Sequence, residues 1–260
     1  MNTPRILFFC IFAYYITQKP ILERIIMPDK WLQRGKLILG EERQERLGKG
    51  HILVVGLGGV GSWAAEMLCR AGVGRMTVID ADTVDVTNIN RQMPALTTTV
   101  GMPKCNVVAE RLRCINPNIE LTVLQQFIAP DNIPEILDTK FDFVVDAIDS
   151  LPSKAALIEG CWKRGTKIVS SMGAGAKEDL SSICCDDLWK SQHCTLAKNL
   201  RRLLRESRGL YKLPVVYSKE PPQREAIEPN PCGGKPIIGS LGYFTATFGC
   251  YLAEYVIKNI

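Results

Sequence analysis

The stretch that decides the fold of this chain runs from His51 to Gly61 and reads HILVVGLGGVG. Its apolar, β-branched run Ile52–Val55 predicts a short buried strand, and Ser62–Ala71 after it predicts a helix. Glycines occupy the turn between them, at Gly56, Gly58 and Gly61. Because a turn without side chains lets backbone N–H groups approach a phosphate at the positive end of the helix, this stretch predicts a nucleotide site.

A second strand follows. Met76–Ile79 is apolar and ends in Asp80, at the distance where such folds place a carboxylate on a ribose hydroxyl. The fold class predicted is therefore α/β, with a Rossmann-like doubly wound sheet, helices on both faces and a C-terminal substrate-binding extension. A glycine turn with an acidic strand end fits a nicotinamide-dependent dehydrogenase equally well.

The segment after the second strand argues against hydride transfer. Within five residues it carries three amides and one guanidinium, at Asn88, Asn90, Arg91 and Gln92. An arginine offers an oxyanion a fixed fork of donors, and amides orient it, so the cluster suits phosphate oxygens. Lys104, at the start of a predicted helix that ends at Arg113, adds a second cation facing the same strand ends.

A further buried strand, within Phe141–Asp146, also ends in carboxylates, with Asp149 and Ser150 just beyond it. Ligands of open α/β sheets bind at this end of the strands, where a carboxylate can hold Mg²⁺ against a polyphosphate. For Asp146 the alternative is a strand-end carboxylate satisfied by its neighbours, with Asp149 as the functional one. Together, the glycine turn, two cations and a metal-binding acid predict transfer at a phosphate.

These motifs resemble those of the adenylate-forming activating enzymes related to ubiquitin-activating enzymes and to the molybdopterin and thiamine adenylyltransferases. The matching residues are Gly56, Gly58, Gly59, Gly61, Asp80, Asp82, Asn88, Asn90, Arg91, Gln92, Lys104, Asp146 and Asp149. The resemblance extends from about Trp31 to the C-terminus. Three further segments, 154–158, 170–175 and 245–249, look like the branch that dehydrates N6-threonylcarbamoyladenosine in tRNA to its cyclic form.

The resemblance implies ATP and Mg²⁺ as cofactors. The glycine at 58 would lie at the phosphates of ATP, Asp80 at the ribose, and Asn88 and Arg91 at the phosphates. Lys104 would stabilise the pentacoordinate α-phosphorus. Asp82 has the alternative of capping the turn that follows it.

The metal and the dimer are also implied by this resemblance. Asp149, followed by Ser150, would hold the magnesium ion. Arg34 looks like the arginine that family members supply across a dimer interface to the partner's ATP, so a homodimer is expected. Arg43 and Arg46 lie nearby as alternatives for that role.

The ten cysteines of the chain include no Cys-x-x-Cys pair. A tetrahedral structural zinc usually takes two such pairs, and several sulfur-carrier adenylyltransferases of this family have them, so their absence disfavours that branch. Four cysteines lie in helical patterns and are predicted to be small core residues, Cys69, Cys105, Cys114 and Cys161.

Basic charge is concentrated in one segment. The 260-residue chain carries a formal charge of +5, and residues 190–212 hold seven basic residues against one acidic one. Within that segment Leu196, Leu200, Leu203 and Leu204 recur at helical spacing, which predicts an amphipathic helix with an arginine-rich face. Such a face attracts phosphate backbones, and the alternative is an ordinary solvated helix. The predicted tRNA contacts are Lys198, Arg201, Arg202, Arg205 and Arg208.

Three segments are predicted: an N-terminal extension at 1–26, an ATP-binding adenylation core at 27–175, and a substrate-binding, sheet-completing part at 176–260. The apolar run Ile6–Ile16 is too short to span a bilayer and lacks a small-residue cleavage site. We interpret 1–26 as a non-native or disordered extension before a start at Met27, and expect a cytoplasmic protein without a membrane partner. Leu180–Gln192 and Pro221–Lys235 are predicted to be loops over the active site.

The predicted function is ATP-dependent cyclisation of N6-threonylcarbamoyladenosine in tRNA through a carboxyl-adenylate. One alternative is an adenylyltransferase that activates the C-terminus of a small ubiquitin-like sulfur-carrier protein. A second is a redox or non-enzymatic protein that binds NAD. An accessory or sulfur-relay protein stays open as a further partner.

Overall fold

The computed structural model describes residues 29–208, 211–231, 233–234 and 236–260. Contacts divide the chain into Met1–Trp31, of which only the last three residues are described, and Leu32–Ile260, which contains the elements discussed below. The predicted N-terminal extension, residues 1–26, lies outside the described residues.

Helices and strands alternate along most of the second unit. In chain order they are α1 (Gln33–Leu39), α2 (Glu41–Lys49), β1 (His51–Val55), α3 (Gly61–Arg70), β2 (Arg75–Ile79), α4 (Lys104–Ile115), β3 (Glu120–Leu124), α5 (Ile133–Ile136), β4 (Phe143–Asp146), α6 (Leu151–Arg164), β5 (Lys167–Ser171), β6 (Ile183–Asp187), α7 (Thr195–Leu203), β7 (Pro214–Ser218), β8 (Ile227–Glu228), β9 (Ile237–Ile238) and α8 (Gly242–Asn259). The strands and helices predicted around the glycine turn are confirmed to within one residue at each end.

The main sheet has the strand order β3-β2-β1-β4-β5-β7-β6. All pairs of neighbouring strands in this sheet are parallel except β6 and β7, which run antiparallel to each other. The chain builds outward from β1 to β3 and then returns to β4 on the other side of β1. This reversal leaves a crevice between the carboxyl ends of β1 and β4, where Val55 lies level with Asp146.

Two apolar cores cover the two faces of the sheet. One contains Leu68 of α3, Leu112 of α4 and Phe248 of α8, and the other contains Leu157 of α6 and Leu200 of α7. Because both faces are covered, β1 is buried along its whole length, which explains why all its residues after His51 are apolar. Each such large side chain contributes about 1.5–3 kcal/mol on burial. The predicted Rossmann-like, doubly wound α/β fold is confirmed.

One segment predicted to be a loop is a strand. Within Leu180–Gln192, residues Ile183–Asp187 form β6 and pair along their length with β7, from Ile183 opposite Ser218 to Asp187 opposite Pro214. The sequence ICCDD lacks the β-branched alternation that marks a strand, and its partner lies about thirty residues further on. Pairing with a distant strand therefore overrides weak local propensity. The other segment, Pro221–Lys235, contains within its described residues a single 3-10 turn, Arg224–Ala226, and the short strand β8.

The basic helix is shorter than predicted. α7 ends at Leu203, and the side chains it buries with the following turn are Ala197, Leu200 and Leu204, whereas Leu203 is 51% exposed. The predicted core position of Cys114 is also wrong, because this thiol is exposed near the C-terminal end of α4. None of the helices in the described part of the chain is both long enough and apolar enough to cross a bilayer.

Candidate active site

A cavity of about 310 Å³ lies in the crevice between β1 and β4. Most of the motif residues predicted from the sequence line it, although they come from separate stretches of chain. They are Gly56, Gly58, Gly59, Asp80, Asp82, Arg91, Gln92, Lys104, Asp149 and Ser150. The sheet topology thus brings the glycine turn, the acidic strand ends and both cations to one place.

The glycines of the turn serve different physical purposes. Gly56 has φ +85°, and a Cβ on it would come within 2.7 Å of the Ala147 carbonyl oxygen at the end of β4. A Cβ on Gly61 would lie 1.8 Å from the Gly56 carbonyl oxygen. At Gly58, by contrast, the nearest protein atom is Nε2 of Gln92, at an ordinary 3.6 Å. The fold itself requires the first two glycines, whereas the missing side chain at 58 keeps the cavity open.

Asp80 closes the turn from the end of β2. Its Oδ2 accepts a hydrogen bond from the Leu57 N–H at 2.6 Å, and its Oδ1 accepts one from the Asp82 N–H at 2.8 Å. Because both bonds hold the carboxylate against the cavity wall, its remaining lone pairs are available to an incoming hydroxyl group.

Lys104 enters the cavity paired with Asp82. Its Nζ lies 2.8 Å from Oδ2 of Asp82, and its backbone N–H donates to the Asp82 carbonyl oxygen at 2.9 Å. The lysine side chain is 7% exposed and the aspartate side chain 70% exposed. The Asp82 carboxylate therefore orients an otherwise buried ammonium group that an anionic ligand can approach.

Asn88 and Asn90 stabilise the loop that carries the polar cluster, but neither residue lines the cavity. The Asn88 Oδ1 accepts a hydrogen bond from the Asp85 N–H at 3.2 Å, as part of a capping box. The Asn90 Nδ2 donates to the Ser240 carbonyl oxygen at 2.9 Å, which ties this loop to the start of α8. The structure thus separates the four-residue polar cluster into two loop-building amides and two cavity-lining side chains.

The two cavity-lining members are Arg91 and Gln92. One terminal nitrogen of Arg91, Nη1, donates to the Thr87 carbonyl oxygen and to Oδ1 of Asn90, both at 2.9 Å. These bonds orient the guanidinium group in the cavity wall. The Oε1 atom of Gln92 is buried and accepts no hydrogen bond from the described residues. A buried acceptor without a donor is costly, so a ligand or solvent molecule that donates to it is expected here.

Asp146 and Asp149 have different environments. Asp146 is fully buried beneath the cavity, where it pairs with Lys154, whereas Asp149 is an exposed carboxylate in the cavity wall. Within the described residues, no group of three His, Cys, Asp or Glu side chains could enclose a metal ion. A single carboxylate beside a phosphate cradle suits Mg²⁺, which commonly takes its other ligands from phosphate oxygens and water.

Four residues of the cavity wall lie outside the glycine turn, the polar cluster and the strand-end carboxylates predicted to form the site. Gln126, Phe127 and Ile128 follow β3, and Thr245 lies in the first turn of α8. The first three carry a weak sequence signal, because they directly follow a strand whose carboxyl end joins the same edge of the sheet. Thr245 belongs to the segment 245–249 that shares in the family resemblance, but only the tertiary fold places its Oγ1 near the Arg91 carbonyl oxygen, at 3.4 Å.

The predicted tRNA contacts lie on and after α7, outside the cavity. Lys198, Arg202 and Arg205 are exposed. Arg201 is only partly exposed, because its Nη1 donates to the carbonyl oxygens of Leu188 at 3.2 Å and Ser191 at 2.9 Å. The guanidinium group of Arg208 lies over the ring of Trp189, 5.4 Å from its centroid.

Arg34 also lies outside the cavity of its own chain. It is exposed on α1, whose next turn carries two apolar side chains, Leu37 and Ile38, that are 83% and 86% exposed. Arg43 is partly exposed and Arg46 is exposed on α2, where Arg46 pairs with Glu42 at 3.2 Å.

Three buried thiols are poor nucleophiles. Burial raises the pKa of the Cys69 and Cys161 thiols to about 12, and it also raises the pKa of Cys105, the neighbour of Lys104. Since the thiolate is the reactive form, these three groups stay protonated and inert at neutral pH. Their predicted role as small core residues is confirmed.

Comparison with known proteins shows which family and which relatives this chain resembles. The ThiF family profile matches residues 32–260. A tRNA threonylcarbamoyladenosine dehydratase of Escherichia coli K12 is 38% identical over 258 residues, which cover 91% of this chain and 96% of that protein. A protein of the same name from Bacillus subtilis 168 is 40% identical over 190 residues, which cover 73% of this chain and 74% of that protein.

Solved structures show the same similarity. The crystal structure of the E. coli dehydratase, TcdA, in complex with ATP matches with a TM-score of 0.80 at 38% identity, covering 88% of this chain and 93% of that one. The family predicted from the glycine turn, the polar cluster and the strand-end carboxylates is confirmed, and the chain belongs to the ThiF family.

Proposed function

We propose that this protein uses ATP to dehydrate N6-threonylcarbamoyladenosine in tRNA to its cyclic form, and that it does so in the cytoplasm, where ATP and tRNA meet. The observation that carries the proposal is the single cavity that unites the glycine turn, Arg91, Lys104 and Asp149. Similarity along most of the chain to dehydratases that include one solved with ATP supports the same conclusion.

We propose one orientation for ATP in the cavity. Its phosphates would lie over Gly58 and the N-terminus of α3, where the helix dipole and free backbone N–H groups favour negative charge. Asp80 would accept hydrogen bonds from the ribose hydroxyls. Gln92 would accept a bond at its buried, otherwise unsatisfied Oε1. The exposed ring of Phe127 and the side chain of Ile128 offer an apolar wall for the base.

The reaction then has two steps. A carboxylate oxygen of the threonyl group attacks the α-phosphorus of ATP, pyrophosphate leaves, and an acyl-adenylate forms. Nucleophilic attack from within the carbamoyl group on the activated carbonyl carbon then closes the ring, and AMP leaves. Because adenylation already makes the carboxylate a good acceptor, a protein nucleophile is not needed, which agrees with the protonated thiols described above.

Lys104 and Arg91 act on the charge that develops at phosphorus in the first step. The Lys104 ammonium group is held in place by Asp82, so little reorganisation is required when the α-phosphate becomes pentacoordinate. Magnesium held by Asp149 would neutralise the leaving pyrophosphate.

We propose that the protein forms a homodimer. Burial of Leu37 and Ile38 against a second copy would contribute about 1.5–3 kcal/mol for each side chain. The same contact would carry Arg34 from α1 toward the partner's ATP, which fits its position outside the cavity of its own chain.

We propose that tRNA lies along α7, where Lys198, Arg202 and Arg205 are free of the protein interior. Arg208, stacked on Trp189, would extend this path, whereas Arg201 contributes mainly by holding the helix in place.

Mass spectrometry of tRNA nucleosides tests the proposed function directly. Purified protein, ATP and tRNA that carries N6-threonylcarbamoyladenosine should yield a nucleoside lighter by one water, together with AMP and pyrophosphate.

Lys104→Ala should lower the rate by about 10²–10³-fold while ATP still binds, because the lost cation acts mainly on the transition state. If the N6-threonylcarbamoyladenosine in the tRNA stays unchanged while the protein adenylates a diglycine-tailed carrier protein, the sulfur-carrier alternative would be favoured. Activity of the purified chain alone would show that an accessory or sulfur-relay protein is dispensable.

A further inference from the structure

A buried charged network lies directly beneath the cavity. Lys154 of α6 and Asp146 at the end of β4 are both fully buried, with Nζ 2.7 Å from Oδ2. The Lys154 ammonium group also donates to Oγ of Ser170 and to the carbonyl oxygen of Ser171, each at 3.0 Å. Since these are three different acceptors, every N–H of the ammonium group is satisfied.

The Asp146 carboxylate is satisfied as completely. Its Oδ2 accepts a second bond from Oγ of Ser170 at 2.6 Å, and its Oδ1 accepts one from the Ile148 N–H at 3.0 Å. This last bond fixes the start of the segment 147–150, all four residues of which line the cavity. The network therefore ends at the backbone that presents Asp149.

Lys154 also joins two strands. Asp146 is the last residue of β4, while Ser170 and Ser171 are the last two residues of β5. The chain leaves β5 toward residues 172–182, where the Ala176 N–H donates to the Gly239 carbonyl oxygen at 2.7 Å in the segment before α8. One ammonium group thus connects the cavity loop to the loop that begins the proposed substrate-binding part.

Stability alone does not explain this arrangement. A buried ion pair loses so much hydration that apolar replacements of the same size are often neutral or stabilising, by about 1–4 kcal/mol. The observed bonds instead hold two chain segments in a defined relative geometry. We propose that Lys154 is a positioning residue, which acts through Asp146 and the Ile148 N–H to hold Asp149 where it meets metal-bound ATP.

This inference rests on the proposed role of Asp149, so the experiment tests the two separately. The main variant combines Asp146→Asn with Lys154→Met, which removes both charges, keeps the size of both side chains and leaves no unpaired charge in the core. Equilibrium binding by calorimetry is compared for ATP with Mg²⁺ and for AMP without metal. Because AMP lacks the phosphates that share a metal with Asp149, it reports the rest of the cavity.

The double variant should unfold at a temperature close to that of the wild type, bind AMP normally, and bind ATP with Mg²⁺ roughly 10–100-fold more weakly, as is typical when the support of a metal ligand is removed. Wild-type affinity for ATP with Mg²⁺ in the folded double variant would overturn the positioning role. Equal losses for both nucleotides would overturn it as well, because they would indicate general damage to the cavity.

Ser170→Ala covers the case in which the double variant does not fold. It keeps the ion pair and removes only the bridging hydroxyl, so a selective loss of affinity for ATP with Mg²⁺, smaller than in the double variant, is expected. Unchanged binding of both nucleotides by Ser170→Ala would then reject the proposal.

Two reference variants complete the design. Asp149→Asn should reduce affinity for ATP with Mg²⁺ selectively, and if it does not, the proposed metal role itself fails. Glu66→Gln with Arg111→Met removes another buried carboxylate and one of the two arginines that pair with it, on helices that cover the opposite face of the sheet; the second arginine, Arg70, is half-exposed. Because neither residue lines the cavity, this variant should bind both nucleotides like the wild type.

Discussion

At the residue scale, residues of the same type within one motif have different structural roles. Gly61 lies so close to the Gly56 carbonyl that a methyl group there would overlap the backbone, whereas a methyl group on Gly58 would make only an ordinary contact, 3.6 Å from Nε2 of Gln92. The same contrast holds for the acids, since Asp146 supports the backbone and Asp149 faces the cavity. The motif gives the residue types, and the surrounding atoms decide their roles.

Two glycine variants separate these roles. Gly58→Ala should unfold at the wild-type temperature but bind ATP roughly tenfold or more weakly, because its methyl group displaces a phosphate from a charge-assisted hydrogen bond worth about 1.5–3 kcal/mol. Gly61→Ala should lower Tm instead, since overpacking costs about 1–3 kcal/mol and each kcal/mol corresponds to roughly 2–4 °C. Calorimetry and thermal unfolding measure both effects. A destabilised Gly58→Ala that binds ATP normally would show that its cavity-facing position is not a ligand contact.

At the element scale, α7 divides its basic residues between the protein and the solvent. Its buried side, Ala197 and Leu200, faces the core, and Arg201 at the border donates to the turn before the helix. The side chains of Lys198 and Arg202 on the helix, and of Arg205 in the turn that follows it, remain exposed. The helix therefore offers RNA a smaller set of cations than its sequence suggests.

Replacing Lys198, Arg202 and Arg205 with glutamine should weaken tRNA binding and reduce its salt dependence by about 0.7–0.9 units of log–log slope per lost phosphate contact. ATP affinity should stay unchanged, because these residues lie outside the cavity. Filter binding at several salt concentrations measures the slope. Arg201→Gln is the matched control. It should lower the unfolding temperature but leave the salt dependence of tRNA binding nearly unchanged. An unchanged slope in the folded triple variant would make α7 an ordinary solvated helix.

At the scale of the whole molecule, the site depends on the order of strands in the sheet. Residues as distant as Val55, Phe127, Asp149 and Thr245 line one cavity because β1, β3 and β4 end, and α8 begins, at the same edge of the sheet. The exposed pair Leu37 and Ile38 on α1 suggests that assembly continues beyond one chain.

Mixed dimers test the proposed assembly. Arg34→Ala and Lys104→Ala should each be nearly inactive alone, but mixed subunits should recover some activity, because one site of the mixed dimer has both residues. The expected recovery is about one quarter of wild-type activity if subunits exchange randomly. Tagged subunits and mass spectrometry confirm exchange, and tRNA dehydration reports activity. Proven exchange without recovery would assign Arg34 to its own chain.

The sequence by itself determined the strand–turn–helix around Gly56, the acidic end of β2, the position of Lys104 at a helix start and the family of the chain. These features depend on neighbouring residues, so local spacing is enough to predict them. Only the tertiary structure decided that Asn88 and Asn90 build the wall while Arg91 and Gln92 line the cavity, that Arg201 faces inward, and that ICCDD becomes β6. Asn90 bonds to Ser240 and β6 pairs with β7, and these partners, distant in the chain, are set by the packing of the sheet and helices. The bonds of Asn88 to Asp85 and of Arg91 to Thr87 are local, but which of these two residues lines the cavity depends on how their loop packs in the fold.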